Sequence, residues 1–195
     1  MLRTLILTAT VLGLVACSGP TYQRGSDDPS IDEAALSTKL DRVDLETALD
    51  EWYEQFAESR FVTDANPADP QSISVLSIKN NTSEHISSAL RALIQSVETK
   101  LVNSGVFDVV ANDQQALAAI DGALAGGDSV DPATLAEAGK RLGVRYFIYG
   151  DVGDTTEKTK DRRRVQYYLF LKVVEVETGR LIFQQKIDKT KQIKG

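Results

Sequence analysis

The sequence predicts one α/β domain with a mixed β-sheet packed by helices, and three observations lead there. From Ile73 onward, short apolar runs of strand character alternate with runs whose apolar residues recur at helical spacing. Two of the helical runs end in glycines, Gly105 and Gly143, placed where a left-handed residue closes a helix. The last two strand-like runs, "VQYYLFLKVVEV" and "RLIFQQKI", flank "ETG" and read as a hairpin, which adds antiparallel strands to the β-α-β units before them.

The elements follow in order. Residues 1–16 hold one positive charge, Arg3, ahead of a largely apolar segment from Leu5 to Leu14. That segment is shorter than the roughly 20 apolar residues of a membrane span. A basic start, an apolar middle and a small-residue exit make a cleavable export signal. Residues 17–31 are rich in Gly, Pro, Ser and Asp with little to bury, and read as an anchor and flexible tether. Residues 18–31, fully extended, reach about 45 Å at roughly 3.3 Å per residue. Residues 32–69 form an amphipathic helical segment and a Pro-containing linker. Within it Leu45, Leu49, Trp52 and Phe56 share one stripe, Asp41 is the expected N-cap, and the opposite face is acidic. Standing off the core, the helix over 32–61 would add roughly 45 Å of reach at 1.5 Å per residue.

Residues 70–195 are the expected globular domain. "ISVLSIK" reads as a buried strand, and the spacing of Leu90, Leu93, Ile94, Val97 and Leu101 predicts a helix over 84–104. "VFDVV" is a short strand. "NDQQALAAIDGAL" opens with an Asn112-x-x-Gln115 capping signal, and the next helix has Asp131 as N-cap and Pro132 as its first residue. "VRYFIYGDV" is a strand, followed by the charged "GDTTEKTKDRRR" that joins it to the hairpin.

Charge and cysteine usage restrict the function classes. The chain of 195 residues carries 22 basic and 28 acidic side chains, one histidine and one cysteine. The acidity is uneven: residues 18–70 hold 13 acidic and 4 basic groups, and residues 71–195 hold 15 and 17. That balance speaks against nucleic acid as a partner. The single thiol, Cys17, has no disulfide partner within the chain. Leu14-Val15-Ala16-Cys17 resembles the lipobox of bacterial lipoproteins, in which the cysteine takes a diacylglyceryl group, the chain is cut before it, and the new amine is acylated. Each buried methylene contributes roughly 0.8 kcal/mol, so a triacylated Cys17 is the expected permanent attachment to the membrane. With Ser18 rather than Asp after it, the resemblance implies an outer-membrane lipoprotein facing the periplasm.

Four stretches carry a family resemblance: "VLSIKNNTSEHIS" (75–87), "LVNSGVFDVV" (101–110), "GKRLGVRYFIYGDV" (139–152) and "VVEVETGRLIFQQKI" (173–187). Together with the lipobox they resemble the LpoB-type lipoproteins, outer-membrane activators of bifunctional penicillin-binding proteins. The same layout occurs in the amino-terminal domain of TolB-like proteins and in curli-assembly lipoproteins, so the resemblance implies a TolB N-terminal-domain-like fold. It also implies a partner, a bifunctional peptidoglycan synthase activated by binding, with no catalytic residue and no cofactor. The alternative is a structural or assembly lipoprotein of an outer-membrane secretion or envelope complex. Enteric members of the family have a long, Pro-rich tether; the short one here reduces reach toward an inner-membrane synthase.

The residues themselves favour binding over catalysis. His85 is the one histidine, so a histidine-based triad and a His-rich metal site are excluded by count. "GDS" at 127–129 matches a hydrolase triplet but lies between two helical runs rather than after a strand. Asn80, Asn81 and Thr82 have two readings: side chains that bond the backbone as strand turns into helix, or a contribution to partner binding. The basic cluster "KTKDRRR", with Arg162, Arg163 and Arg164, is either a solvated hairpin tip or an electrostatic contact with an acidic partner or lipid phosphates. Lys186, Lys189, Lys191 and Lys194 pose the same choice.

Overall fold

The computed structural model describes residues 26, 28–33, 37–111, 132–158 and 162–194. The chain divides into two units, residues 1–33 and 34–195. In the first, the described residues form a 3-10 turn, Pro29–Asp32, capped by Asp28. The readings at Cys17, at Asn112 to Gln115, at 127–129 and at Asp131 lie outside the described residues.

The second unit runs α1 (Arg42–Ala57), α2 (Arg60–Thr63), β1 (Gln71–Asn81), α3 (Ser87–Ser104), β2 (Phe107–Val109), α4 (Pro132–Leu142), β3 (Tyr146–Lys158), β4 (Arg162–Glu175) and β5 (Leu181–Lys194). The strands form one sheet in the order β2-β1-β3-β4-β5. β1 pairs parallel with both β2 and β3, while β3, β4 and β5 pair antiparallel, so the sheet is mixed as expected. Gly105 and Gly143 end α3 and α4 at φ 67°, where a side chain would be strained.

Alternation along the strands divides the core in two. Ile73, Val75, Ile148, Tyr167, Leu169 and Leu171 point to the face covered by α1 and α3. Leu76, Phe147 and Val174 point to the other face, where Leu135 of α4 meets them. All of the expected α3 stripe is buried except Ile94, which packs partly against the same core. Leu45, Leu49, Trp52 and Phe56 of α1 are buried, joined by Ala48.

That burial removes the condition under which the helix would add reach. Helix α1 does not stand off the domain as a spacer: Trp52 is fully buried, stacks on Phe56 at 5.0 Å between ring centroids, and meets Phe183 of β5 edge-on at 5.8 Å. Among the described residues its indole N–H has no hydrogen-bond partner, and buried area and aromatic contact hold the ring there. The expected Asp41 cap is present and reciprocal, Asp41 accepting from the Asp44 amide at 3.0 Å and Asp44 from the Asp41 amide at 2.9 Å.

Two further boundaries move. α3 begins at Ser87 rather than Glu84, because side-chain bonds within 80–84 hold that stretch in a turn. The charged stretch 153–164 is largely strand rather than loop: β3 continues to Lys158 and β4 starts at Arg162, with Glu157 opposite Arg164 and Thr156 opposite Val165. Threonines and Val165 suit a pleated ribbon, and the periodicity of the apolar residues alone does not reveal it.

Leu93, 2% exposed in the middle of α3, tests the assignment of this face. Leu93→Ala is expected to lower unfolding free energy in denaturant titration by about 2–5 kcal/mol. A loss below about 0.5 kcal/mol is the size of a surface substitution and would contradict the packing described.

Candidate functional site

The residues singled out in the sequence gather at one end of the sheet, where β1 finishes, where β3 and β4 form their ribbon, and where the chain arrives from its amino-terminal segment. Asn81 pairs in register with Gly153 of β3, and Arg164 of β4 pairs with Glu157. The two groups thus lie four residues apart along β3, roughly 13 Å at the rise of a strand. They share an end of the domain without touching.

Asn80 and Thr82 bond locally. Asn80 Nδ2 donates to the Glu84 carbonyl at 2.7 Å, and Asn80 Oδ1 accepts from the Thr82 amide at 3.0 Å and its hydroxyl at 2.7 Å. The Glu84 amide donates to Thr82 Oγ1 at 3.1 Å. These bonds hold a tight turn that aims the Glu84 side chain inward. Asn81 differs: its side chain is exposed and donates at 3.4 Å to Asp151 on the neighbouring strand.

Glu84 joins three parts of the chain. Its Oε2 accepts from the Leu40 amide at 2.9 Å, and its Oε1 lies 2.7 Å from the Tyr167 hydroxyl. That hydroxyl also lies 2.7 Å from the Thr38 carbonyl, so one phenolic proton faces two acceptors. Burial and the Glu84 carboxylate beside it push the Tyr167 hydroxyl well above the usual tyrosine range, which keeps it protonated as a donor. The strap at 38–41 is fixed from the other side by Lys191 of β5. Its ammonium donates to the Lys39 carbonyl at 2.9 Å, to Asp41 Oδ2 at 3.0 Å and to Asp44 Oδ2 at 2.5 Å. Lys189 pairs with Glu51 two turns further along α1.

Lys189 and Lys191 thus take neither of the two readings set out for the carboxy-terminal lysines. Lys189 and Lys191 neutralise the acidic flank of α1. Lys186 pairs with Asp188 at 2.9 Å and sits 5.0 Å from the centre of the Tyr168 ring. Lys194 is placed by register opposite Arg162. The arginines are less engaged: Arg163 and Arg164 are exposed, and Arg164 reaches Glu157 only at 3.9 Å. His85 is exposed beside the turn. Among the described residues, no group of three or more His, Cys, Asp and Glu side chains is placed to hold a metal ion, and no helix is long and apolar enough to cross a membrane. At the opposite end of the sheet an open groove of about 470 Å³ is lined by Ser72, Lys140, Gly143, Arg145 and Glu177 among others.

Residues 44–188 match the family described as peptidoglycan-synthase activator LpoB. This chain belongs to the LpoB family. The match opens in the first turn of α1 and closes within β5, and it takes in the 80–84 turn and the β3–β4 ribbon. The family is one of synthase activators, not of catalysts. Among solved structures, the LpoB C-terminal domains from Salmonella enterica and Escherichia coli are similar at 17% and 19% identity, each covering 75% of this chain and 98% of that chain with a TM-score of 0.47. The lipoprotein GNA1162 from Neisseria meningitidis is similar at 11% identity, covering 63% of this chain and 84% of that one, with a TM-score of 0.41. No curated protein matches the chain.

Sequence reasoning passed over Glu84 and Tyr167 as residues that fasten the strap to the domain, and named Lys191 only among the carboxy-terminal lysines. The Tyr167 contacts to Glu84 and to Thr38 span 83 and 129 residues, so no local pattern marks them. The pairs with Asp41 and Asp44 outweigh the burial of Lys191 and hold its ammonium above the usual lysine value of 10.5. A raised lysine pKa in the folded state stabilises fully below the unfolded value and ceases to do so as pH rises through the folded one. Lys191→Met is therefore expected to cost about 1–3 kcal/mol at neutral pH. The gap between wild type and variant, measured by denaturant titration across pH, should stay constant to about pH 10 and close above it. A gap that persists undiminished above the lysine range would contradict the Lys191 assignment.

Proposed function

We propose that this protein is an outer-membrane lipoprotein, anchored through Cys17 and facing the periplasm, that binds a bifunctional penicillin-binding protein and raises its peptidoglycan synthesis. The observation that carries this reading is the family match over residues 44–188, which spans the domain from α1 to β5. Activation of this kind needs no reacting side chain. The domain has only to bind the active conformation of the synthase more tightly than the resting one, and each tenfold of preference corresponds to about 1.4 kcal/mol of coupling. The lipid places the domain, and the strap at 38–41 fixes where the tether leaves it.

The mature chain carrying Cys17→Ser, mixed with the purified synthase, should raise glycan polymerisation, peptide cross-linking or both, saturating with its concentration. Folded protein that leaves the synthase rate unchanged contradicts the activator reading. In the cell, wild type should incorporate labelled fatty acid and Cys17→Ser should not. Mature wild-type protein without label removes the anchor from the account.

A further inference from the structure

One strongly charged feature is left unused by the packing and by the proposed activity. Between Lys158 and Arg164 the sequence holds five basic residues and one acidic, on a chain whose net charge is −6. The β3–β4 register sets Lys158 directly opposite Arg163. Like charges facing each other across strands destabilise a ribbon. Among the described residues neither Lys158 nor Arg163 has an ion-pair partner, and both are exposed. Nearby basic residues are treated differently: Lys189 and Lys191, further along β5, are each neutralised by α1. Segregation of charge at this end is thus a property of the ribbon rather than of the whole edge.

The position of the ribbon argues for what it meets. The chain reaches the domain through the strap at 38–41, and the strap is fastened by Tyr167 and by Lys191, whose register partner is Val165. Val165 follows Arg164 directly. The point where the tether joins and the basic ribbon therefore occupy the same end of the sheet, two or three residues apart along β4, roughly 10 Å or less. The groove lined by Lys140 and Arg145 lies at the other end. A lipid at Cys17 would hold this domain within a tether's length of one bilayer and raise the local concentration of headgroups seen by the ribbon.

We propose that the basic end of the sheet, formed by the β3–β4 ribbon with Arg162, Arg163 and Arg164, docks on anionic phospholipid headgroups of the membrane that carries the lipid anchor. The inference deepens the lipoprotein reading and rests on it. Docking by this end turns the opposite end of the sheet away from the bilayer. It also supplies the phosphate charge that offsets the Lys158–Arg163 repulsion. Each basic residue near an anionic surface changes partition about fivefold, and the attraction falls off within about 8 Å at physiological ionic strength.

The test uses the mature chain with Cys17→Ser, so that no acyl chain contributes, and measures co-sedimentation with vesicles of phosphatidylglycerol and phosphatidylethanolamine against vesicles of phosphatidylcholine. Binding should be confined to the anionic vesicles and lost at high salt. Converting Arg162, Arg163 and Arg164 to Gln should weaken it about 100-fold without lowering the melting midpoint. Glu157→Gln, which removes the acid nearest Arg164, should strengthen it about fivefold. Equal binding to both vesicle types, or unaltered binding by the triple variant, overturns the proposal. So does an absence of vesicle binding combined with slower association of the triple variant with the synthase, which would assign the ribbon to an acidic protein. Loss of the anchor itself would appear in fatty-acid labelling and would leave the vesicle result as it stands.

Discussion

The burial of Trp52 and Phe56 between α1 and the sheet is the contact on which the rest of the architecture depends. A mixed sheet must cover both faces, and here α3 alone leaves the β4–β5 side of one face open. α1 closes it with two stacked aromatic rings and a second, edge-on contact to Phe183. Once that helix is fixed, its acidic flank lies against β5, and Lys189 and Lys191 become structural charges. Its first residue then determines where the amino-terminal segment joins the domain. Glu84 and Tyr167 secure that junction, so one packing decision propagates from the core to the placement of the tether.

This order of causes separates two kinds of charge on the molecule. Lys189 and Lys191 of β5 answer carboxylates on α1 and at its cap, and are used in folding. Among the described residues Arg163 has no ion pair and Arg164 has only a long one, to Glu157. An activator needs surfaces held in fixed relation rather than a reacting centre, and the family match encloses Trp52, Phe56, Glu84 and Tyr167 among the residues that fix them.

Much of the fold was legible because apolar spacing reports the face an element buries. The stripes Leu45–Leu49–Trp52–Phe56 and Leu90–Leu93–Val97–Leu101 are both buried, and both glycine stops have the left-handed backbone expected of them. Spacing says nothing about what a stripe is buried against, so α1 could be read as a spacer when it is a wall of the core. The 80–84 turn was legible as local bonding, since Asn and Thr at that spacing favour it. The strap was not, because Glu84 meets Leu40 and Tyr167 only after the chain has closed on itself. The ribbon over 153–164 was missed because its threonines and charges carry no apolar period, although the backbone pairs through to Lys158.

The claim at the centre of this account is that the lipidated protein works by engaging a peptidoglycan synthase. Affinity purification of the lipidated protein from envelope membranes, with the co-purifying proteins identified, addresses it most directly. The account predicts a bifunctional penicillin-binding protein among them. A stable, stoichiometric complex with secretion or envelope-assembly components, and no synthase, would contradict it.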